Sequence, residues 1–365
     1  MSRFTLPNCA MSVLLAAGFG ALAMAGDSGG ARKEPVKIIF DTDMYTDFDD
    51  AGALACLHAL ADAGECEILA TVANTRDCLS VAMCEIINSY YGRPGIPVGC
   101  SKEVGVSGST PRHLRRYQKT VEKYRNWVRH MNSDSAPDAN EVYRRILATQ
   151  EDQSVVICSV GFLTNMRRLL ETKGDSISPL DGKTLVLKKV KTWVAMACSY
   201  PAGREHNAMM DHESSRIALS EWPTPVIFTD FQYGLDCFAG RALAESKSKD
   251  NPVAEVFAGS IPSRREIRRK AASYLRGGYG MAGRAAWDQT AVLIAVRGTD
   301  GYFNSTRGKY SMSADEPKEN EWTPDIKGGP HRRITEKIPK ERIGRIIDEL
   351  TLRPPRLGLG LKTAK

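Results

Sequence analysis

The sequence predicts one large α/β domain in which a mainly parallel, mixed sheet carries helices on both faces. Two observations support this fold class. From residue 36 onward, short runs rich in β-branched residues alternate with amphipathic stretches, and the runs are continuously apolar, as in strands that are buried on both faces. No sharp linker before about residue 300 and no internal repeat divides the 365 residues, a length that fits one large domain or two smaller ones.

Five apolar runs are predicted to form the buried strands of this sheet. Each run is short, contains valine or isoleucine, and stands between amphipathic or polar segments, which is typical of a parallel sheet. The strands are placed at residues 36–40, 67–74, 154–160, 192–198 and 225–229.

Helices are predicted where apolar residues recur at helical spacing. The first two end at Gly64 and Gly92, because glycine commonly terminates a helix. The third begins at Thr110 and Pro111, residues that suit a helix cap and a first turn. The helices are placed at residues 50–64, 78–92, 110–131, 263–276 and 340–350. Residues 304–333 are polar and rich in glycine, proline and charge, so a long loop is expected there.

The composition restricts the class of protein and of partner. With 42% hydrophobic and 25% charged residues, the chain matches folded globular proteins rather than disordered or low-complexity ones. The net charge of +7 is small for this length and does not indicate a nucleic-acid partner. We expect no nucleic-acid partner and no membrane span in the mature chain, while a homo-oligomer stays open.

Residues 1–25 are predicted to be a secretory signal peptide. Arg3 gives a positive start, residues 10–25 are almost wholly apolar, and a small–x–small cleavage site ends at Ala25. The apolar run is shorter than the roughly 20 residues of a spanning helix, which argues against an uncleaved anchor. We therefore expect an exported protein, either periplasmic or secreted. The mature chain is predicted to comprise a flexible segment, the α/β domain and a C-terminal tail, at residues 26–35, 36–355 and 356–365.

Nine cysteines are present, and the predicted cleavage would remove Cys9. An exported protein can pair its cysteines, but no C-x-x-C occurs, and residues such as Cys158 and Cys198 lie in apolar runs. Buried free thiols are therefore expected at those positions. The cysteine spacing does not support a metal site.

The strongest functional signal is a run of aspartates after the first strand, in FDTDMYTDFDDAGAL. Asp41, Asp43, Asp47, Asp49 and Asp50 lie within ten residues, where open α/β sheets bind their ligands. Five like charges this close need a counter-charge, and oxygen ligands favour Ca²⁺ or Mg²⁺. Helix capping accounts for one or two of the five. We therefore interpret the cluster as a divalent-cation site.

The motif D-T-D…D-D-A-x-A-L resembles the opening motif of the inosine–uridine-preferring nucleoside hydrolases, D-x-D-P-G-x-D-D. This chain has two more residues before the third matched aspartate, as in a divergent bacterial branch of the family. Four later segments are similar to family segments in the same order: ATVANT, VGFLTN, GREHNAMMD and AWDQTAVL, at residues 70–75, 160–165, 203–211 and 286–293. The resemblance covers about residues 36–296. It implies a nucleoside-hydrolase-like fold and Ca²⁺-dependent hydrolysis of small-molecule ribonucleosides to ribose and free base.

The resemblance also implies roles for individual residues. The calcium ligands would be Asp43, Asp50, Asp288 and the backbone carbonyl of Val160. Asp43 would act as the general base and Asn207 would fix the sugar, so these two form the catalytic pair. The residues expected to bind substrate, including the neighbouring His206, are Asp49, Asn74, Glu205, His206 and Trp287. Asp41 is expected behind the ligands, and Asp47 lies in the inserted stretch without a counterpart in the family.

Trp287 departs from the family pattern, in which many members have a histidine before the last calcium aspartate. This histidine is the usual acid for the leaving base. An indole face would instead stack on a two-ring base and favour its protonated form. The resemblance to the purine-preferring branch therefore predicts a preference for purines, and a core aromatic residue is the alternative.

Two other functions stay open from the sequence. Haloacid-dehalogenase-like phosphatases also place D-x-D after a first strand, but Tyr45 stands where threonine or valine is expected, and the late G-D-x-x-x-D pair is missing. A non-catalytic calcium-dependent sugar- or nucleoside-binding protein would use the same residues. The missing base-side acid keeps this second alternative open.

Overall fold

The computed structural model describes residues 34–44, 47–76, 78–103, 111–246, 248, 250–315, 318–325 and 327–356, apart from the side chains of residues 78 and 111–114. The predicted signal peptide and most of the two predicted terminal segments lie outside these residues, as does Tyr45. From Glu34 onward the described residues form one compact unit, in agreement with a single α/β domain.

The strands follow one another along the whole domain. They are β1 (Val36–Thr42), β2 (Cys66–Ala73), β3 (Val98–Cys100), β4 (Val155–Ser159), β5 (Val190–Ala195), β6 (Ala202–Gly203), β7 (Val226–Phe228), β8 (Phe238–Gly240), β9 (Tyr279–Gly280), β10 (Gly283–Ala285), β11 (Phe303–Met312), β12 (Asn320–Pro324) and β13 (His331–Glu336). The five predicted buried strands correspond to β1, β2, β4, β5 and β7, with ends displaced by three residues at most.

Helices connect most of these strands. They are α1 (Asp49–Asp62), α2 (Cys78–Tyr90), α3 (Pro111–Lys123), α4 (Ala139–Thr149), α5 (Thr164–Glu171), α6 (Gly182–Lys189), α7 (His206–Met210), α8 (His212–Glu221), α9 (Phe231–Leu235), α10 (Arg241–Ala244), α11 (Pro252–Phe257), α12 (Arg264–Arg269), α13 (Ala271–Arg276), α14 (Trp287–Arg297) and α15 (Lys340–Thr351). A short 3₁₀ turn follows α3 at Arg125–Trp127.

The main sheet has ten strands in the order β3-β2-β1-β4-β5-β7-β13-β11-β12-β6. The strands from β3 to β13 in this order pair in parallel, and β11, β12 and β6 continue the sheet antiparallel. Alternate residues of β1 enter different cores: Ile38 and Phe40 pack in one cluster and Ile39 in the other. Because side chains alternate between the faces of a strand, the sheet is covered on both sides. The predicted fold class is therefore confirmed.

Three predicted segments differ from the structure. The loop expected at residues 304–333 is wrong, since β11, β12 and β13 occupy most of it. These strands bury one face only, as Tyr310 and Trp322 show, and a strand with one solvated face carries the polar residues that suggested a loop. The predicted helix at residues 263–276 is split into α12 and α13, and the one at 110–131 ends at Lys123.

The cysteines of the described domain are free and buried wherever their side chains are described: Cys56, Cys66, Cys84, Cys100, Cys158, Cys198 and Cys237. Burial raises the pKa of Cys66 to about 12, so this thiol stays protonated at neutral pH. The expectation of buried free thiols is confirmed for Cys158 and Cys198. None of the helices in the described ranges has the length and hydropathy to cross a bilayer.

His331 provides a test of how stability depends on pH. Its Nδ1 accepts a hydrogen bond from the Tyr310 backbone N–H at 2.9 Å, and burial lowers its pKa from 6.5 to about 4. The unfolded chain therefore binds a proton between pH 6.5 and 4 that the folded chain does not. The resulting stability is present above pH 6.5 and is lost as the pH falls to about 4, a loss of about 3 kcal/mol.

We expect His331→Asn, which keeps an acceptor for Tyr310 without the titration, to reduce this acid loss of stability. Urea unfolding at several pH values between 7 and 4 measures the difference between variant and wild type. Equal pH dependence in the two proteins would show that the pKa of His331 is the same in the folded and unfolded states.

Candidate active site

A cavity of about 320 Å³ lies where the parallel strands end. β1, β4, β5 and β7 each lead into it at their carboxyl ends, and α1 and α14 begin at its wall. This is where open α/β sheets bind ligands. The lining residues are Asp43, Asp47, Asp49, Asp50, Val160, Met196, Glu205, His206, Asn207, Phe231, Arg284, Trp287 and Asp288. The structure therefore brings all the predicted site residues except Asn74 to one cavity.

Three carboxylates form the centre of the cavity wall. Asp49 and Asp50 occupy the first turn of α1, and Asp288 the first turn of α14. One oxygen atom from each lies within 4.8 Å of the other two. Burial, followed by the charges of neighbouring aspartates, raises the pKa of each well above its usual value. Three buried like charges of this kind need a cation if all are to be ionised.

The donor set fits a hard divalent cation. Ca²⁺ binds oxygen ligands at about 2.3–2.6 Å, so two ligands of one ion lie at most about 5 Å apart, and the three carboxylates meet this limit. Asp43 lines the same cavity, and its charge is the largest after burial among the causes that raise the pKa of Asp50. The close group contains Asp49, which the resemblance assigns to substrate binding rather than to the metal. Whether Asp43 is itself a ligand stays a prediction.

Asn207 ties the ends of two strands together. Its Nδ2 donates to the carbonyl of Val160 at 3.1 Å and to the carbonyl of Met196 at 3.0 Å. These residues follow directly on β4 and β5. With the amide nitrogen engaged in this way, Oδ1 is the atom that Asn207 can offer to a ligand.

Glu205 holds the turn that presents Asn207. Its buried carboxylate accepts hydrogen bonds from the backbone N–H groups of Cys198 at 3.0 Å, Asn207 at 3.0 Å and Ala208 at 2.9 Å. Burial raises the pKa of Glu205, while these hydrogen bonds oppose the rise. His206, between the two, is exposed and lies against the Phe162 ring with the centroids 5.7 Å apart.

The same turn is anchored from the far end of the chain. Asn320, in β12, accepts a hydrogen bond from the Ser199 N–H at 2.8 Å and donates one to the Ser199 carbonyl at 2.7 Å. β12 also pairs with β6, which lies between Ser199 and Glu205. The turn that carries Glu205 and Asn207, which were expected to contact the sugar, is therefore anchored by the antiparallel part of the sheet.

Asp41 and Asn74 lie behind the cavity wall. The Asp41 carboxylate accepts from Asn74 Nδ2 at 2.7 Å, from the Tyr143 hydroxyl at 2.8 Å and from Asn165 Nδ2 at 2.9 Å. Burial raises the pKa of Asp41 to about 6 despite these three donors. The Asn74 amide is thus directed at Asp41 rather than at the cavity, and the hydrogen bond between them fixes the carboxyl end of β1.

Gly161 fits closely against Asp43. A Cβ at this position would lie 2.4 Å from the backbone nitrogen and 2.7 Å from Oδ1 of Asp43. The same Cβ would lie 2.6 Å from Asn74 Nδ2. Such contacts are too short to persist, so Asp43 and Asn74 would have to move. We expect Gly161→Ala to lower kcat/KM on a cleaved nucleoside about a hundredfold, as small displacements of reacting groups do. Gly95→Ala is the matched control, because a Cβ there meets no atom within 4 Å. Wild-type kcat/KM in Gly161→Ala would show that Asp43 tolerates displacement.

The inserted stretch has a partner that sequence analysis missed. Asp47 forms an ion pair with Arg284, which is 237 positions away in the chain. The Tyr117 hydroxyl donates to the Asp47 carbonyl at 2.7 Å. Arg284 also donates to the Gly277 carbonyl. The sequence contained one indication of this pair. Arg284 stands three residues before Trp287, and the clustered aspartates need a positive counter-charge.

Trp287 is fixed on one side of the cavity. Its Nε1 donates to the Phe231 carbonyl at 2.9 Å, and its ring stacks on that of Phe231 with the centroids 5.4 Å apart. The Arg284 guanidinium carbon lies 4.8 Å from the Trp287 ring centroid. A guanidinium therefore lies over the ring that was expected to attract a protonated base, although Trp287 and Phe231 still line the cavity. Phe231, Met196 and Arg284 complete the cavity without having been predicted.

The chain matches the family profile described as inosine-uridine preferring nucleoside hydrolase over residues 38–339. The comparison with curated protein sequences gives no match. Among solved structures, a plant nucleoside hydrolase has 19% sequence identity and a TM-score of 0.61, covering 88% of this chain and 100% of its own.

Two bacterial structures have the same fold. An inosine-uridine preferring nucleoside hydrolase from Bacillus anthracis has 14% identity and a TM-score of 0.57, covering 87% of this chain and 99% of its own. A purine-preferring ribonucleoside hydrolase from Gardnerella vaginalis has 15% identity and a TM-score of 0.58, covering 86% of this chain and 99% of its own. With the profile match over most of the domain, the chain belongs to the inosine-uridine preferring nucleoside hydrolase family and is an N-glycosyl hydrolase.

Proposed function

We propose that the protein hydrolyses the N-glycosidic bond of ribonucleosides in a Ca²⁺-dependent reaction and prefers purine bases. The observation that carries this proposal is one cavity lined by two chemically different groups of side chains, which we call its acidic end and its aromatic end. The acidic end comprises Asp43, Asp49, Asp50 and Asp288, and the aromatic end comprises Phe231, Arg284 and Trp287. Carboxylates suit the hydroxyl groups of a ribose, and aromatic rings suit a flat base.

The residues of the acidic end can divide the work of hydrolysis. Asp43 takes a proton from the attacking water as general base. Asp49 and the Asn207 amide oxygen hold ribose hydroxyls, which positions C1′ as it gains oxocarbenium character. A bound divalent cation supplies the positive charge that lets the clustered carboxylates ionise together and polarises water and hydroxyl groups. We assign four ligands to this cation: the carboxylates of Asp43, Asp50 and Asp288 and the backbone carbonyl of Val160.

The proposed purine preference rests on the size of the aromatic end. The Phe231 and Trp287 rings are fixed against each other, and a two-ring base gains more from such a surface than a one-ring base does. The structure from Gardnerella vaginalis is named as purine-preferring. We expect Trp287→Ala to lower kcat on inosine at least tenfold and far more than Asn74→Ala does, because Asn74 lies behind the wall. Equal rates on uridine and inosine would count against the preference.

A panel of ribonucleosides tests the main proposal. The purified mature chain is incubated with inosine, guanosine, adenosine, uridine and cytidine, with Ca²⁺ or with a chelator, and ribose release is measured. Release that needs Ca²⁺ is expected. Tight nucleoside binding without release would identify a binding protein instead. Hydrolysis of p-nitrophenyl phosphate in the same buffers would favour the phosphatase alternative.

We also propose that the protein is exported after cleavage near Gly26. The support is the apolar, small-residue N-terminus. Mass spectrometry of the protein recovered from the cell envelope or medium should give a mature N-terminus near Gly26. Recovery with Met1 intact would contradict cleavage.

A further inference from the structure

Arg284 places a positive charge beside the aromatic rings of the cavity, where it pairs with Asp47. Among the described residues lining the cavity, it is the one lysine or arginine. Its guanidinium is held in place rather than solvated: Asp47 and the Gly277 carbonyl accept from its two terminal nitrogens, and Tyr279 lies 4.6 Å away from ring centroid to Cζ.

The guanidinium retains donors after these contacts. Arginine carries five N–H groups, and the described hydrogen bonds from Arg284 engage two nitrogens once each. The buried Nε has no partner among the described residues. Because Nε is not accessible from the cavity, the N–H groups that can face a ligand are those left on the two terminal nitrogens. A ligand placed against Trp287 would therefore meet a fixed cation with N–H groups to offer.

We infer that Arg284 recognises the O6 and N7 edge of a 6-oxopurine, so that inosine and guanosine are the substrates and adenosine is discriminated against. The inference rests on the proposed function of the same cavity. A 6-oxopurine presents two acceptors side by side, which a guanidinium fork matches. Adenine presents an amino donor at position 6 that opposes the arginine N–H, and a pyrimidine has no N7.

The same contact assists bond cleavage. As the C1′–N9 bond breaks, its electron pair moves onto the base, and O6 and N7 share the negative charge. The water oxygen bonds to C1′, Asp43 takes one water proton and later returns it to solvent, and the departed base regains a proton from solvent. A cation near O6 and N7 stabilises this developing charge. This reverses the expectation of a protonated, cationic base, which Arg284 would repel.

The test compares substrates that differ at the recognised edge. Wild type, Arg284→Met and Arg284→Lys are assayed for kcat/KM on inosine, adenosine, purine riboside, which lacks the 6-oxygen, and 7-deazainosine, which lacks N7. Wild type should favour inosine over each of the others by about 10- to 100-fold. Arg284→Met should lower kcat/KM on inosine far more than on the other three, so that the preference for inosine shrinks. Arg284→Lys should keep part of the rate and lose the preference, because it keeps the charge without the fork.

Arg276→Met is the matched control, since Arg276 is exposed on α13, outside the cavity lining. Unchanged ratios in a folded Arg284→Met, or a wild type that favours adenosine or is indifferent to 7-deazainosine, would overturn the inference. If neither Arg284 variant folds, the wild-type ratios on the four substrates decide.

If wild type cleaves no ribonucleoside, the proposed function fails and calorimetry decides on Arg284 separately. Hypoxanthine should then bind at least tenfold more tightly than adenine to wild type, and equally to Arg284→Met. Equal binding of the two bases by wild type would refute the inference.

Discussion

Replacing Asp288 by asparagine is expected to lower kcat on ribonucleosides at least a thousandfold and to abolish stabilisation by Ca²⁺. Asp288 is one of the three buried carboxylates whose oxygens lie within 4.8 Å of each other, and a neutral amide is a poorer ligand for a hard cation. In wild type, Ca²⁺ at a hundred times its Kd should add about 2.7 kcal/mol to the free energy of unfolding. Steady-state kinetics and thermal melts with Ca²⁺ or chelator measure the two effects.

The metal-free proteins should show the opposite order of stability. Without a cation the three carboxylates repel one another, and their raised pKa values reflect this repulsion together with burial. Asp288→Asn removes one like charge, so it should melt above wild type in chelator. Asp300→Asn, at an exposed aspartate, is the control and should change neither quantity. A Ca²⁺-dependent rise in melting temperature that survives in Asp288→Asn would remove Asp288 from the metal site.

Asp43→Asn is expected to lower kcat by about a hundred- to ten-thousandfold with little change in KM. A general base acts on the proton only as the transition state forms, so its loss affects kcat rather than substrate binding. Asparagine keeps the shape of the side chain next to Gly161 and cannot accept the proton. Single-turnover kinetics on inosine, at saturating enzyme, separate the chemical step from product release.

Asp49→Asn is the matched comparison for Asp43→Asn, because the resemblance and the geometry assign the two residues differently. If Asp43 is a metal ligand, Asp43→Asn should also weaken stabilisation by Ca²⁺, while Asp49→Asn should raise KM. If Asp49, Asp50 and Asp288 form the metal site without Asp43, then Asp49→Asn should weaken stabilisation by Ca²⁺ and Asp43→Asn should leave it unchanged. A normal kcat for Asp43→Asn would exclude it as the base.

The central strands could be predicted because burial on both faces leaves an unbroken apolar signal. β1 and β4 were placed within two residues at each end for this reason. β11 to β13 were missed because each buries only one face, so its polar residues resemble those of a loop. Lys270 interrupts a pattern that looked like one helix and separates α12 from α13, and nothing in the spacing of apolar residues indicated that break.

The site was predictable to the extent that it is built from strand ends. Residues that follow directly on parallel strands meet at one edge of a sheet, which is why Asp43 and Val160 line one cavity. The direction of a side chain is a tertiary property, and the Asn74 amide is directed at Asp41 rather than at the cavity. Arg284 could not be predicted in this way, because its position in the cavity depends on the ion pair with Asp47 in the inserted stretch.

The pairing of β6 with β12 makes the order of synthesis relevant to activity. Ser199 precedes its partner Asn320 by 121 positions, so six of the seven parallel strands, all except β13, are synthesised well before the residue that anchors the turn of Glu205 and Asn207. Domains fold as their segments emerge, and during this interval that turn has no neighbouring edge to pair with. A chain terminated before β12 would thus contain every carboxylate of the acidic end and still lack an anchored wall for its substrate. We therefore expect the ability to bind a nucleoside to depend on the C-terminal antiparallel strands as well as on the acidic residues.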